Sequence, residues 1–260
     1  MKIIVMTDLE GIAGVDTYEM ISSGRNEDYT AACRALMLDV NAAVRGYFDA
    51  GADQVYVYDG HGGGKNFIRP MLDERAIQLN NEEFHALVKS GETNAYAEIG
   101  LHAMAGTQNA FLEHTQSSKQ WFDYQINGIS CGEFVQGAAF VGHFGIPFIF
   151  VSGDDAACEE ARRFVPEIAT AIVKHAHGRN VAVSLPREEA DRLIYETAKQ
   201  SVSLISKIKP YKIALPAEIR LTFQRTDYCD SLADRYERIG SRTLRRVTKN
   251  IENYSDLLFP

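Results

Sequence analysis

The stretch Val55–Asn66, VYVYDGHGGGKN, runs from β-branched and aromatic residues straight into an acid, a histidine and a glycine loop. Such a loop can hold a phosphate, an oxyanion or a metal ion. A phosphate-binding P-loop requires GxxxxGK[ST]; here Asp59 occupies the first glycine position and Asn66 stands where Mg²⁺ needs a hydroxyl. The dinucleotide pattern GxGxxG fails as well, because Phe67 sits at its third glycine. A serine-hydrolase reading has more in its favour. His61-Gly62-Gly63-Gly64 fits the HGGG oxyanion motif, and Gly128-Ile129-Ser130-Cys131-Gly132 fits the GxSxG nucleophile elbow. Asp154 and His175 or His177 follow Ser130 in the chain order of α/β-hydrolases. Yet an elbow needs a buried apolar strand before it, and Phe122-Asp123-Tyr124-Gln125 is half polar and reads as an edge or surface strand. This reading also leaves Asp8, Glu10, His102 and Glu133 without a task.

A metal reading uses all of them. Asp8 and Glu10 lie two apart beyond an apolar run, so an extended chain there projects both carboxylates to one side. His61 ends the next strand. His102, in IGLHAMAGT, follows another apolar segment, and Glu133 stands where the chain enters the apolar helix FVQGAAFVG. Two imidazoles and three carboxylates form a mixed nitrogen and oxygen set suited to two divalent ions, Zn²⁺ first, with Mn²⁺ or Co²⁺ as alternatives. Five side chains are few for two ions, so one carboxylate must bridge and open positions are left for water.

The elements that position these residues follow from periodicity. KIIVM (2–6) and QVYVY (54–58) read as strands, with a helix from Glu27 to Ala50 between them and Gly51 as its stop. NNEEFHALVKSG (80–91) reads as a capped helix, while YAEIG (96–100) and FDYQING (122–128) are weaker strands. IPFIFVSG (146–153) is a strong strand, after which Asp154-Asp155 is expected to cap a helix reaching about His177. NVAVSL (180–185) precedes a further helix beginning near Pro186, and both YKIALP and EIRLTFQ alternate like strands. The expected fold is α/β, three-layered, with a mostly parallel central sheet. Residues 1–205 are expected to form the metal-binding catalytic part, and residues 206–260 a small strand-rich C-terminal annex packed on it. Strand carboxyl ends, where open α/β sheets gather function, carry Asp8, Asp59, His102 and Asp154.

Bulk properties narrow the partners. Among 260 residues, 27 basic against 35 acidic side chains give a net charge of −8, which disfavours a nucleic-acid surface. No run approaches the roughly 18 apolar residues that span a membrane. No signal peptide is evident, and Cys33, Cys131, Cys158 and Cys229 lack CxxC spacing, so a reduced, cytoplasmic protein is expected.

The sequence resembles the D-aminopeptidase family of dinuclear zinc peptidases. The resemblance rests on Thr7-Asp8-Leu9-Glu10-Gly11-Ile12-Ala13-Gly14, on Asp59-Gly60-His61-Gly62, and on Gly100-Leu101-His102-Ala103-Met104-Ala105-Gly106-Thr107. Leu112-Glu113-His114-Thr115, Asn127-Gly128 with Gly132-Glu133, and Val151-Ser152-Gly153-Asp154 extend it through residue 155; beyond about residue 185 it is only general. It implies that Asp8 bridges two zinc ions, that Glu10 and His61 complete one site, and that His102 and Glu133 complete the other. It further implies a catalytic role for His114, a short-peptide substrate with an N-terminal D-residue such as D-Ala, and a homo-oligomer, a decamer of two five-membered rings. His114, with an ordinary pKa near 6.5, suits proton transfer beside a metal-activated water. On this reading the HGGG and GxSxG matches are coincidences. A serine esterase using Ser130, or a non-catalytic metal-binding assembly protein, is the competing expectation.

Overall fold

The computed structural model describes residues 1–22 and 27–260. Along the chain run β1 (Lys2–Thr7), α1 (Glu27–Asp49), β2 (Gln54–Asp59), β3 (Ile77–Leu79), α2 (Asn81–Ser90) and β4 (Ala95–Leu101). There follow β5 (Trp121–Ile126), β6 (Ile129–Ser130), α3 (Glu133–His143), β7 (Phe148–Asp154), α4 (Asp155–Phe164), β8 (Ala169–Ala176) and β9 (Ala182–Ser184). The last elements are α5 (Arg187–Ser201), β10 (Ala217–Phe223), α6 (Thr226–Asp230), β11 (Glu237–Arg238) and β12 (Thr243–Thr248).

The central sheet has the order β3-β2-β1-β4-β7-β8-β9, and every pairing is parallel except β8 with β9. Burial on both faces explains the composition of its middle: every residue of β4 and β7 is buried, as parallel strands covered by helices require. Helices α4 and α5 both pack on β7 and β8, and α1 packs along α5 while α3 touches α4. The sheet therefore lies between two helical layers, as expected. YAEIG, a weak strand by its composition, lies at the centre of the sheet between β1 and β7 and is buried throughout.

Two expectations are corrected. The helix after Asp155 stops at Phe164 rather than near His177, and residues 169–176 form β8. Pro166 follows at once, and a proline within a helix lacks the N–H and clashes with the preceding turn. His175 consequently lies on a strand, not at a helix end. YKIALP forms no strand: it runs irregularly between Pro210 and Pro216, neither of which can donate to a ladder. EIRLTFQ does pair, as β10, but in a second, antiparallel sheet of order β11-β12-β10-β5-β6. That sheet joins the C-terminal strands to the excursion between β4 and α3.

Helix α2 begins with a complete capping box. The Asn80 side chain accepts the Glu83 N–H at 3.0 Å, and the Glu83 carboxylate accepts the Asn80 N–H at 2.8 Å. Asn80→Ala is expected to cost about 1 kcal/mol and lower Tm by roughly 2–4 °C in a thermal melt; an unchanged Tm contradicts the capping role.

Candidate metal centre

Helix α1 carries the chain from β1 outward to β2, whereas the connection through α2 returns it across β1 to β4. The winding thus reverses between β1 and β4, the place where an open α/β sheet leaves a crevice at its carboxyl edge. The ends of these two strands are pressed together. The Asp8 N–H donates to the Ile99 carbonyl at 2.9 Å and the Gly11 N–H to the Gly100 carbonyl at 2.7 Å. A Cβ on Gly11 would lie 2.2 Å from the Leu101 carbonyl oxygen, and one on Gly100 would lie 2.5 Å from that of Asp8. Only glycine permits this approach, and the approach sets Asp8 beside His102.

The loop after β2 is folded by Asp59 and Asn66. The Asp59 carboxylate accepts the Asn66 backbone N–H at 2.6 Å and its side-chain amide at 2.8 Å, and the same amide donates to the His61 carbonyl at 2.8 Å. Asn66 is buried, and Tyr29 donates to its amide oxygen. The chain can turn back this tightly because Gly62, Gly63 and Gly64 all adopt positive φ. Residue types that suggested phosphate chemistry are thus a bracket that aims one imidazole.

His102, His114 and Glu133 are held by the loop after β4 and the start of α3. Glu160 on α4 accepts the Met104 N–H at 2.7 Å, and the His114 N–H donates to the Ala103 carbonyl at 3.1 Å. Asp154 caps α4 through the Ala157 N–H at 2.7 Å and also accepts the Phe111 N–H at 2.8 Å. Glu133 is the first residue of α3, and its carboxylate accepts the Gln116 N–H at 2.7 Å. Beneath Glu10, the fully buried Lys174 ammonium donates to the Glu10 carbonyl at 2.8 Å and to the Val15 carbonyl, with the Phe111 ring alongside.

All six residues singled out in the sequence meet in one cleft of about 510 Å³. Asp8, Glu10 and His61 form one group of donor atoms and His102, His114 and Glu133 another, each within 4.8 Å of one another. Asp8 joins the groups: its Oδ2 is 3.2 Å from His102 Nε2. His61 Nε2 lies 3.4 Å from Glu10 Oε1, and His102 Nε2 lies 3.4 Å from Glu133 Oε1. Charge-assisted hydrogen bonds are shorter, about 2.7–2.9 Å. Two donors at about 2.0–2.1 Å from a tetrahedral ion stand roughly 3.3–3.4 Å apart, so the spacing fits ligands flanking a cation. Glu10 Oε2 and His61 Nδ1 are buried without a hydrogen-bond partner among the described residues. His102 Nδ1 lies 2.9 Å from the Ala103 carbonyl, which can only accept; the proton therefore sits on Nδ1 and leaves Nε2 as a donor atom. The donor set fits a pair of divalent cations.

The electrostatics of the cleft's own side chains points the same way. Burial, with Glu10 adding to it, pushes the Asp8 carboxyl well above its ordinary range. Burial works against charge on Glu10 too, but the adjacent His61 outweighs it and holds Glu10 well below that range. His61 is in turn raised to about 9: burial opposes its charge, and Glu10 overcomes that opposition. His102 is raised against burial by its contact with Glu133. His114 is lowered, by burial and by the neighbouring His102, whose ring stacks on it with centroids 3.8 Å apart. Protons on two imidazoles hold the carboxylates together when no metal does.

Ser130 has no such company. It lies on the short β6, and its hydroxyl accepts from Gln125 at 3.4 Å; among the described residues no histidine bonds to it. Asp154 is taken up by its cap and by Phe111. Of the supporting residues, Glu160, Lys174 and Gln116 are absent from the sequence reading, whereas Asp59 stands in it as a strand-end acid and Asn66 as a flank of the glycine loop.

The chain matches the family model of the D-aminopeptidases over residues 1–258. It is similar to a D-aminopeptidase of Bacillus subtilis (strain 168), with 26% identity over 213 residues, 81% of this chain and 77% of that one. Its fold is that of the solved zinc-dependent D-aminopeptidase DppA from Bacillus subtilis, a self-compartmentalizing protease. The two superimpose with a TM-score of 0.92 at 22% identity, over 99% of this chain and 95% of the other.

Because His61 keeps its proton up to about pH 9 without metal, a bound cation must displace it. Zinc titrated calorimetrically at pH 7.5 in buffers of different ionisation enthalpy is expected to release more than about one proton per chain. Apparent affinity should rise with pH toward 9 as that competing proton leaves. Zinc uptake without proton release contradicts this arrangement.

Proposed function

The chain belongs to the D-aminopeptidase family, and from that premise we propose that it removes the N-terminal residue, a D-amino acid such as D-Ala, from short peptides at a dinuclear zinc centre. The observation that carries the reading is Asp8: its carboxylate sits in the group with Glu10 and His61 while lying 3.2 Å from His102 in the other. In this reading Asp8 is shared, Glu10 and His61 complete one site, and His102 and Glu133 complete the second. Mn²⁺ or Co²⁺ could occupy the same oxygen and nitrogen donors. When bound, such ions polarise a carbonyl and lower the pKa of water toward neutrality.

The chain's own residues supply the rest. The cleft, at about 510 Å³, accommodates a short peptide rather than a folded chain. His114 contacts the carbonyl of Leu112 through Nδ1 at 2.8 Å, so its proton belongs on Nδ1 and the Nε2 lone pair points toward Glu133, 3.8 Å away. Burial lowers the pKa of this imidazole, and its Nε2 is free to take up a proton and return it to the leaving amine. His114 could serve as a third donor to the second group by distance alone. We assign it to proton transfer, because His102, Glu133 and Asp8 already converge there.

The similar Bacillus subtilis protease is self-compartmentalizing; we propose that this chain likewise closes into an oligomer, the decamer of two pentameric rings that the family resemblance implies. No helix among the described residues is long and apolar enough to cross a membrane. The four cysteines form no disulfide among the described residues, which suits the proposed reducing, cytoplasmic setting.

Dialysis against a chelator is expected to abolish hydrolysis of D-Ala dipeptides, and Zn²⁺ to restore it. His114→Gln should keep its metal and lose about 10²–10⁴ in kcat, whereas Glu10→Ala should lose metal and activity together. Activity that ignores chelation and disappears in Ser130→Ala would instead establish the serine esterase. Bound zinc with no cleavage across a broad peptide panel would indicate a non-catalytic assembly protein.

A further inference from the structure

Beside the carboxylates a second space of about 130 Å³ opens between α2 and α3. Gly60, Gln116 and Glu133 border both this space and the metal cleft, so one adjoins the other. Its walls are aromatic and apolar. Phe84 stacks on Tyr58 with centroids 4.3 Å apart, and His85 meets Phe84 and Phe140 edge-on. Met6, Gly137 and Val141 complete the lining on the sheet and α3 sides. The tyrosine hydroxyls that reach it are already engaged, while His85 Nδ1 is buried without a hydrogen-bond partner among the described residues. Tyr96 donates to the Met6 sulfur at 2.8 Å, Tyr58 to Asn81 at 3.0 Å, and Tyr254 to Gln136 at 3.1 Å. Burial, assisted by Lys89, lowers the pKa of His85 and keeps that wall neutral. Glu133, at the mouth, is the one carboxylate among the lining residues.

Resting on the aminopeptidase reading, we propose that this cavity receives the side chain of the substrate's N-terminal residue and selects apolar groups up to the size of a phenyl ring. In an aminopeptidase substrate the free amine and the scissile carbonyl flank a single Cα. With both at the metal cluster, that Cα stands at Glu133, and its side chain enters the adjoining space directly. The leaving residue's side chain starts three bonds farther along. Size sets the limit: an apolar cavity of about 150 Å³ binds benzene, so this one holds an isobutyl group or a ring closely. A charged side chain would lose its hydration against walls whose one carboxylate, Glu133, is engaged at the mouth with His102 and Gln116. Gly137 sets the width on the α3 side. A Cβ there would sit 3.7 Å from the Tyr96 hydroxyl and 3.9 Å from Glu98, ordinary contacts that leave the helix intact while narrowing the cavity.

The test uses the zinc-reconstituted full chain and dipeptides X-Ala, where X is Ala, Leu, Phe, Glu or Lys in both enantiomers. Leucyl and phenylalanyl substrates are expected to exceed the alanyl one by about tenfold or more in kcat/KM, with Glu and Lys below it. Gly137→Val, or the milder Gly137→Ala if the valine variant is unstable, should cut the leucyl-to-alanyl ratio by about tenfold. Equal kcat/KM across the series, a preference for charged side chains, or a ratio unmoved by both variants overturns the cavity assignment while leaving the peptidase standing. If no dipeptide is cleaved, it is the aminopeptidase reading that fails. Calorimetric binding of leucinamide against alaninamide then decides the cavity: a tenfold difference supports it and equal affinity overturns it.

Discussion

Three carboxylates gathered at the rim of an apolar sheet must share that space with cations or with protons. Asp8 and Glu10 are almost wholly buried, and Glu133 is largely so; each would lose hydration and repel the others at close range. The protein answers with imidazoles interleaved between them, so that His61 faces Glu10 and His102 faces both Asp8 and Glu133. Those contacts are longer than hydrogen bonds between such groups ordinarily are. Charge balance with protons is a substitute for charge balance with metal, and the cleft is spaced for the latter.

Everything around the cluster serves to keep these groups from relaxing apart. The abutting ends of β1 and β4 leave no room for side chains between them. The loop after β2 is closed on Asp59 and Asn66, and the loop after β4 is tied down at Met104 and Phe111 by buried acids from β7 and α4. Lys174 satisfies carbonyls under Glu10 with a charge that burial has already weakened, its pKa brought down to about 8. Rigid support of this kind is what fixes donor atoms to the tolerance that a metal centre needs.

Much of this was legible in the residues themselves. Strands ending in Asp8, His61 and His102 place three donors at one edge by topology alone, and the glycines beside them mark close approaches. Glu133 was legible through its position, an acid opening an apolar helix. Other features were hidden because their cause is tertiary. Residues 169–176 have β-branched alternation that a periodic helix before Pro166 masked, and their strand character depends on β7 being there to pair. Phe122–Ile126 looks half polar because one face is exposed, and its partner β10 lies nearly a hundred residues on. Glu160 and Lys174 carry no motif; each is defined only by the backbone groups it meets in the folded chain.

Anomalous diffraction at the zinc edge, on crystals of the zinc-loaded full chain, tests the central claim most directly. The expected map has two peaks about 3.5–4 Å apart, one bounded by Glu10 and His61, the other by His102 and Glu133, with Asp8 touching both. A single peak, or peaks lying away from these five side chains, contradicts it.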